Sequence, residues 1–299
     1  MKKKVYSASV TPLKVDGSLD VAGLNRIFER NISHGIDGIF ILGTMGEWNH
    51  FPDAFRDQLV EESVRAVAAR TELLVGITSQ TLDGALANMQ RVSSLAFDSY
   101  VFMLPKKAEV VDPVRDIVTV LDAADRSVFY YHCPPANGVD LSLSQFEEIL
   151  AHPNLKGIKN SAGNMWLRRE LILMKKAQGF QPFLLEGHEW AVDEALLVGY
   201  DGMLCGMGAL GSKFMVRIAR AVDNGEVAEA IQIQNRFIQL FHGVYGLNLE
   251  TIWVGQKYAL KCLGLCCSEL TLAQEMSALT EVRKREIEAC VEEFRKELD

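Results

Sequence analysis

Leu155-Lys156-Gly157-Ile158-Lys159 opens the stretch of sequence that decides the fold, in which short apolar runs alternate with longer amphipathic ones. After it come a helical pattern at Trp166–Ala177, an apolar run at Pro182–Leu185, a helical pattern at Glu189–Val198 and an apolar run at Gly202–Cys205. The apolar runs are continuous rather than alternating, which is typical of parallel strands covered by protein on both faces. The stretch therefore predicts repeated strand–helix units.

The same alternation extends back to the N-terminus. Further strands are predicted at Val5–Thr11, Gly38–Leu42, Leu73–Gly76, Tyr100–Met103 and Ser127–Tyr131, with helices at Asp20–His34, Asp53–Ala69, Thr81–Ser94, Asp112–Asp125, Ser144–Ala151 and near Lys213–Asp223. Eight βα units in about 220 residues favour an α/β fold of the (β/α)8 TIM-barrel type. A doubly wound open sheet is the structural alternative.

The chain beyond the eighth unit is helical in pattern. Apolar stripes with a helical period occur at Ile231–Tyr245, Ile252–Leu263 and Ala278–Lys296, and no linker rich in Pro, Gly or Ser precedes them. We therefore predict a barrel over residues 1–224 and a C-terminal helical extension, packed on the barrel, over residues 225–299.

Composition narrows the class of protein. The 299 residues are 48% hydrophobic and carry a formal net charge of −8, which argues against disorder and against binding to a nucleic-acid backbone. No apolar run approaches the roughly 20 residues that span a bilayer, so no membrane partner is expected. The segment Val5–Val10 is too short and too polar for a signal-peptide core. Six cysteines without paired CxxC spacing predict reduced thiols in the cytoplasm and no zinc site.

Three predicted strand ends carry reactive side chains, and in a barrel of this type chemistry occurs at these ends. Lys159 ends an apolar strand, where burial would lower its pKa and make it a nucleophile; a paired structural cation is the alternative. Lys156 is expected to be solvated at the start of the same strand. Tyr131 is a candidate proton carrier, or else a core tyrosine, and only every other residue of Tyr130–Cys133 can face inward.

The third candidate is the turn Gly43-Thr44-Met45-Gly46-Glu47, which can hold an anion through backbone N–H groups or be purely structural. An amine, a phenol and an anion-holding turn are together the parts needed to bind a 2-oxo acid as an imine and move its protons. The protonated imine stabilises a carbanion on the adjacent carbon. That carbanion supports C–C cleavage, C–C formation or loss of a hydroxyl group.

These segments, in this order, resemble the dihydrodipicolinate synthase / N-acetylneuraminate lyase superfamily of class I aldolases. The resemblance covers nearly the whole chain and rests on Val10-Thr11-Pro12, Asp16-Gly17, Gly43–Glu47, Tyr131-His132-Cys133-Pro134, Gly157–Gly163 and Gly199-Tyr200-Asp201-Gly202. It implies a barrel with a C-terminal helical extension, a homotetramer built as a dimer of dimers, and no metal or cofactor.

The resemblance also implies roles for individual residues. Lys159 would form the Schiff base, Tyr131 would shuttle the proton, and Thr44 would join the relay. Thr44 and the backbone amide of Met45 would hold the carboxylate of the 2-oxo acid, and the backbone near Leu204 would line its other side. Glu189 would accept hydrogen bonds from a polyol substrate; the alternative is a helix N-terminal acid stabilised by the helix dipole.

Three positions depart from the family pattern. Met45 replaces a second hydroxyl residue, which removes one hydrogen bond to the carboxylate. Ala136 stands where synthases of the lysine pathway carry an arginine, and alanine cannot replace that bidentate donor, so dihydrodipicolinate synthase activity is not expected. Lys106-Lys107 replaces an aromatic pair that contributes a relay tyrosine to a neighbouring subunit, so the proton path would run through water or another residue such as His132.

The leading hypothesis is a carbon–carbon lyase, a Schiff-base aldolase acting on a pyruvate-type 2-oxo acid. Its substrate would be a 2-keto-3-deoxy sugar acid or a related 4-hydroxy-2-oxo acid. A dehydratase of a keto-deoxy sugar acid that uses the same imine is one alternative. A catalytically impaired homologue that only binds a keto acid is another.

Overall fold

The computed structural model describes residues 2–299 and has a closed barrel of eight parallel strands. The strands follow one another around the barrel in chain order: β1 (Lys4–Ala8), β2 (Gly38–Ile41), β3 (Glu72–Gly76), β4 (Ser99–Phe102), β5 (Val128–His132), β6 (Leu155–Asn160), β7 (Phe183–Glu186) and β8 (Gly202–Cys205). The barrel closes where β8 pairs with β1. The (β/α)8 prediction is confirmed, and the open-sheet alternative is wrong.

Helices cover the outside of the barrel and form the C-terminal extension. They are α1 (Val21–Ser33), α2 (Asp53–Val67), α3 (Leu82–Val92), α4 (Pro113–Ala123), α5 (Pro134–Asn137), α6 (Leu143–Leu150), α7 (Met165–Gln178), α8 (Val192–Val198), α9 (Gly208–Asp223), α10 (Val227–Tyr245), α11 (Val254–Cys262) and α12 (Glu281–Leu298). Short 3₁₀ turns lie at Lys107–Glu109, Glu189–Ala191 and Met276–Ala278. The last three helices pack on α9 and on one another.

The side chains of strand β5 alternate between the core inside the barrel and the core between the strands and the helices. Phe129 and Tyr131 point into the barrel, whereas Tyr130 and His132 point outward into the layer between the strands and the helices. The His132 ring packs edge-on against Phe146 of α6, with 5.0 Å between ring centroids. Tyr131 therefore faces the barrel mouth, and His132 is excluded from a proton path there.

The pairing of strand β6 is irregular next to Lys156. The pairing register between β5 and β6 shifts after Val128, so that Val128 pairs with Leu155 but Phe129 pairs with Gly157. Lys156 lies next to this irregularity, and its Nζ is 2.6 Å from Glu72 Oε2 and 3.1 Å from Ser99 Oγ. Lys156 therefore lies at the start of the strand, as predicted, but its side chain is half-buried in an ion pair rather than fully solvated.

Two features of the structure concern membrane spanning and the pairing of thiols. Within residues 2–299, no helix is long and apolar enough to cross a membrane. All six cysteines, each of which lies in this range, are unpaired.

Candidate active site

Lys159 is a buried amine at the carboxyl end of β6. Its side chain is part of a residue only 4% exposed, and it forms no salt bridge with any residue in the range 2–299. Its Nζ lies 4.0 Å from the centre of the Tyr131 ring and 5.6 Å from that of Phe40. Burial lowers the pKa of Lys159, and the nearby Cys133, Cys205 and Glu189 oppose this shift only in part. Burial therefore favours the neutral, nucleophilic form of this amine.

A cavity of about 180 Å³ opens above Lys159 at the carboxyl ends of the strands. It brings together five of the predicted site residues, namely Lys159, Tyr131, Thr44, Met45 and Glu189. Leu204 is different, because its side chain is buried inside the barrel and does not line the cavity. Gly206, two residues further along, lines it instead.

Three hydroxyl groups lie close together beside the amine. Burial raises the pKa of the Tyr131 phenol, and the neighbouring hydroxyls of Thr44 and Ser161 lower it only in part. Thr44 Oγ1 and Ser161 Oγ are buried without a geometrically sound hydrogen bond to another described residue. Tyr131 therefore carries its proton at neutral pH, and two polar atoms beside it are free for a substrate. Sequence reasoning missed Ser161, although it lies two residues after Lys159 in the quoted Gly157–Gly163 segment.

Gly187 allows this close approach. A Cβ atom at this position would lie 2.1 Å from Ser161 Oγ and 3.1 Å from Lys159 Cε. Any larger residue would displace Ser161 or the lysine side chain. The absence of a side chain at Gly187 therefore lets the lysine side chain and the Ser161 hydroxyl both pack against this glycine.

The turn after β2 is held from the C-terminal extension. Trp253 Nε1 donates to the carbonyl of Thr44 at 3.1 Å, and Lys257 of α11 forms a fully buried ion pair with Glu47. Glu47 has a positive φ of 60°, a backbone conformation that a non-glycine residue adopts only when its surroundings impose it. Met45 packs on Gly206 across the cavity, where a Cβ atom on the glycine would lie 2.8 Å from Met45 Cγ. Met45 thus fills space with a thioether where the family places a hydroxyl.

Glu189 lies in a 3₁₀ turn and has both a structural contact and a place in the cavity wall. Its Oε1 accepts a hydrogen bond from the Met207 backbone N–H at 2.9 Å, and Met207 is the N-cap residue of α9. The carboxylate therefore accepts a backbone hydrogen bond at the start of α9. The prediction from sequence concerned instead the helix that follows Glu189 in the chain. The residue is only 7% exposed, and it also raises the pKa of Lys159.

The outer wall of the cavity was not predicted. It consists of Trp190 after β7 together with Phe241, Tyr245, Leu249 and Ile252 from the extension. The Tyr245 hydroxyl is buried and makes no hydrogen bond to another described residue. Helical stripes at Ile231–Tyr245 indicate a core face, and nothing in their period distinguishes the residues that reach a cavity.

The two remaining departures from the family pattern lie near one another. Lys106 Nζ donates to the carbonyl of Ala136 at 2.8 Å, at an exposed position. No arginine is present among the described residues that line the cavity around Lys159. The carboxylate-binding arginine expected of a lysine-pathway synthase is therefore not replaced from elsewhere in this wall.

Comparisons with known proteins agree with this geometry. The family model described as "Dihydrodipicolinate synthetase family" matches residues 1–294. The chain is 27% identical over 268 residues to the 4-hydroxy-tetrahydrodipicolinate synthase of Gluconacetobacter diazotrophicus, covering 89% of this chain and 88% of that protein. It is also 27% identical over 292 residues to the probable 2-dehydro-3-deoxy-D-pentonate aldolase YjhH of Escherichia coli K12, covering 94% and 95%. The crystal structure of E. coli K12 YagE in complex with pyruvate superposes with a TM-score of 0.86 at 22% identity, covering 98% of each chain.

A parallel eight-stranded barrel with a buried lysine at its mouth fits the class I aldolases, which are enzymes that act through an imine on a lysine. The chain belongs to the dihydrodipicolinate synthetase family. It is accordingly a carbon–carbon lyase of the Schiff-base type.

Proposed function

We propose that this enzyme forms or cleaves a 4-hydroxy-2-oxo acid, the class that includes 2-keto-3-deoxy sugar acids, through an imine between Lys159 and a pyruvate-type unit. The observation that carries the proposal is the position of Lys159 Nζ, buried in a cavity 4.0 Å from the Tyr131 ring centre and without an ionic partner in the described chain. The matches to YjhH and to YagE support the same chemistry, since one is named as an aldolase and the other binds pyruvate.

In the cleavage direction, the neutral amine of Lys159 attacks the C2 carbonyl of the substrate, and loss of water leaves a protonated imine. Tyr131, whose phenol is protonated, gives a proton to the departing oxygen and then takes the proton of the C4 hydroxyl. The C3–C4 bond breaks, its electron pair moves into an enamine, and an aldehyde leaves. Protonation of the enamine at C3 and hydrolysis of the imine release pyruvate and free Lys159.

Thr44 and Ser161 would serve the two ends of this reaction. Thr44 belongs to the turn that would hold the substrate carboxylate, and its free Oγ1 is beside Tyr131. Ser161 lines the same cavity as Lys159 and lies against Gly187, so its free Oγ would be near the carbon atoms that react next to the imine. Together they would provide the proton path that Lys106-Lys107 does not supply.

Dihydrodipicolinate synthase activity is not part of the proposal, since Ala136 presents only a backbone carbonyl, bound to Lys106, where an arginine would hold the second substrate. A homotetrameric assembly and a cytoplasmic location remain predictions, from the family resemblance and from the unpaired cysteines respectively.

Borohydride reduction in the presence of pyruvate, followed by peptide mass mapping, tests the proposal. We expect a stable adduct on Lys159 and none in Lys159→Ala. Lys156→Ala is the matched control, because it removes a half-buried lysine from the same strand, and it should still give the adduct. Protein that is folded by circular dichroism but gives no adduct with pyruvate would refute imine chemistry.

Product analysis then identifies the reaction. Incubation with a panel of 4-hydroxy-2-oxo acids, keto-deoxy sugar acids among them, should release pyruvate and an aldehyde from at least one member. Appearance of a dehydrated keto acid without C–C cleavage would instead identify a dehydratase, and adduct formation without turnover would identify a keto-acid-binding homologue.

A further inference from the structure

We infer that the aldehyde-derived end of the substrate, from C5 outward, is an alkyl or aryl group rather than a chain of hydroxyls. The inference rests on the proposed aldolase function and concerns the mouth of the same cavity. Here the mouth means Trp190, Leu249 and Ile252, with Phe241 and the Tyr245 ring behind them.

Exposure indicates which lining residues face the opening of the cavity. Lys159, Tyr131 and Ser161 are buried, with exposures of 4–6%, and they form the floor. Trp190 is 43% exposed, and Leu249 and Ile252 are partly exposed, so these three face the opening. A substrate whose C2 is bound to Lys159 would place C1–C4 against the polar floor and its following atoms against the mouth.

The mouth is apolar and firmly packed. The Trp190 and Phe241 rings meet edge to face at 4.8 Å between centroids, and Phe241 and Tyr245 do so at 4.7 Å. The indole N–H of Trp190 is not free to bind a substrate, because it donates a hydrogen bond to His242 Nε2 at 3.2 Å. Rings locked in this way present a hydrophobic surface whose shape is set before the substrate arrives.

Several polar groups of the cavity already form hydrogen bonds within the protein. His188 Nε2 donates to the carbonyl of Ser161 at 3.0 Å, and one oxygen of Glu189 is bound by the Met207 N–H. Ser161 Oγ and the Tyr245 hydroxyl, which have no hydrogen-bond partner in the described chain, remain for the C4 hydroxyl and the proton transfers around it. A hydroxyl at C5 or beyond would lose water and meet Leu249, Ile252 and the indole ring.

This chemistry selects between two kinds of aldehyde in the direction of C–C formation. The new bond joins C3 of the pyruvate enamine to the aldehyde carbon, and the proton lost from C3 ends on the C4 oxygen. Pentanal and glyceraldehyde have the same number of non-hydrogen atoms, so they differ in polarity rather than in size. Because an unpaired buried hydroxyl is costly, kcat/KM for pentanal should exceed that for glyceraldehyde by about tenfold or more.

The test measures kcat/KM for both aldehydes with pyruvate, by chromatography of the 4-hydroxy-2-oxo acid products. Trp190→Gln should move the ratio toward glyceraldehyde by about tenfold, since it replaces the apolar face with hydrogen-bonding groups. Trp166→Gln is the matched control, because Trp166 is 59% exposed on α7 and does not line the cavity, and it should leave the ratio unchanged.

Failure of the inference and failure of the proposed function are separable. If pyruvate is trapped on Lys159 but glyceraldehyde is preferred, or neither aldehyde condenses, the apolar-substrate inference is overturned while the imine stands. If both variants shift the ratio equally, the mouth is not its cause, and the inference is again overturned. Absence of a pyruvate adduct would refute the aldolase function itself.

Discussion

Replacing Lys257 with Met should strongly destabilise the protein, because it leaves the carboxylate of Glu47 buried without its counter-ion. Both side chains are fully buried, and Lys257 Nζ also donates to the carbonyl of Leu270 at 2.8 Å. The other carboxylate oxygen, Glu47 Oε2, accepts hydrogen bonds from Thr271 Oγ1 at 2.9 Å and from the Leu272 N–H at 2.6 Å. The pair therefore joins the turn after β2 to two segments of the C-terminal extension.

The expected magnitude follows from the burial of both partners. Removing one member of a buried ion pair costs about 3–5 kcal/mol, because the remaining charge is desolvated and uncompensated. In the double variant Lys257→Met/Glu47→Gln no charge is left, and an amide oxygen can still accept the hydrogen bonds that now reach Glu47 Oε2. We expect that double variant to recover about half of the loss or more.

Urea unfolding followed by circular dichroism measures these differences as changes in the free energy of unfolding. Lys261→Met is the matched control on the same helix, since Lys261 is 42% exposed and pairs with Glu269 at 2.6 Å. Its loss should be within about 1 kcal/mol, as for other exposed ion pairs. If Lys257→Met costs no more than Lys261→Met, or if the double variant is less stable than Lys257→Met alone, the argument from buried charge is refuted.

Three other predictions concern the site and its surroundings. Borohydride trapping of pyruvate on Lys159 should speed up with pH and level off below pH 10.5, because burial lowers the amine's pKa; a rate still climbing through pH 10.5 would contradict this. Tyr131→Phe should keep the adduct but slow turnover by about 10²-fold or more, and a near-normal rate would remove the phenol from the proton path. Burial lowers the pKa of His132 to about 4, so this residue stabilises the fold above pH 6.5, and that contribution is lost as pH falls toward 4. His132→Phe should therefore reduce the acid-induced drop in unfolding free energy by up to roughly 3 kcal/mol, measured by urea unfolding at both pH values.

The barrel itself could be predicted from the sequence, because continuous apolar runs and amphipathic stretches have different periods. The run Gly202–Cys205 coincides with β8, whereas the run Val5–Thr11 extends beyond β1, which ends at Ala8. Residues 9–11 are buried, but they are held by loop hydrogen bonds such as that from Thr11 Oγ1 to the Gly46 carbonyl. Apolar composition reports burial and cannot distinguish a buried loop from a strand.

The start of α9 shows the opposite error. A helix was predicted near Lys213. Helix α9 begins earlier, at Gly208, but a kink at Gly211, whose φ of −101° and ψ of 18° are not helical, separates this first turn from the helix that continues past Lys213. Gly208 and Gly211 disfavour a helix by propensity, but both are needed for close packing. A Cβ atom on Gly208 would lie 2.6 Å from the Ser7 backbone, and one on Gly211 would lie 2.6 Å from the Phe237 ring. Tertiary contact explains the extra turn before the kink at Gly211, and a single sequence does not reveal that contact.

The reactive centre was more predictable than the wall around it. Lys159, Tyr131 and Thr44 end strands of one barrel, and topology alone brings strand ends together. The apolar mouth joins Trp190 to residues 241–252, and these positions have no shared motif or spacing. The aromatic residues of helix α10 have the spacing of an ordinary core face. That some of them also line the cavity depends on how the extension folds back over the strands.

Because it folds back over the strands, the C-terminal extension forms part of the candidate active site. Helix α11 and the residue before it contact loops on two sides of the cavity: Trp253 holds the Thr44 carbonyl, Lys257 holds Glu47, and Gln256 Nε2 donates to the Gly206 carbonyl at 3.1 Å. A barrel ended at residue 224 would keep Lys159 and Tyr131 on their strands but would lose each of these contacts. The turn bearing Thr44 would then lack the partners that hold Glu47 at its positive φ. The strands thus position the amine, and the extension fixes the turn that bears Thr44 beside it.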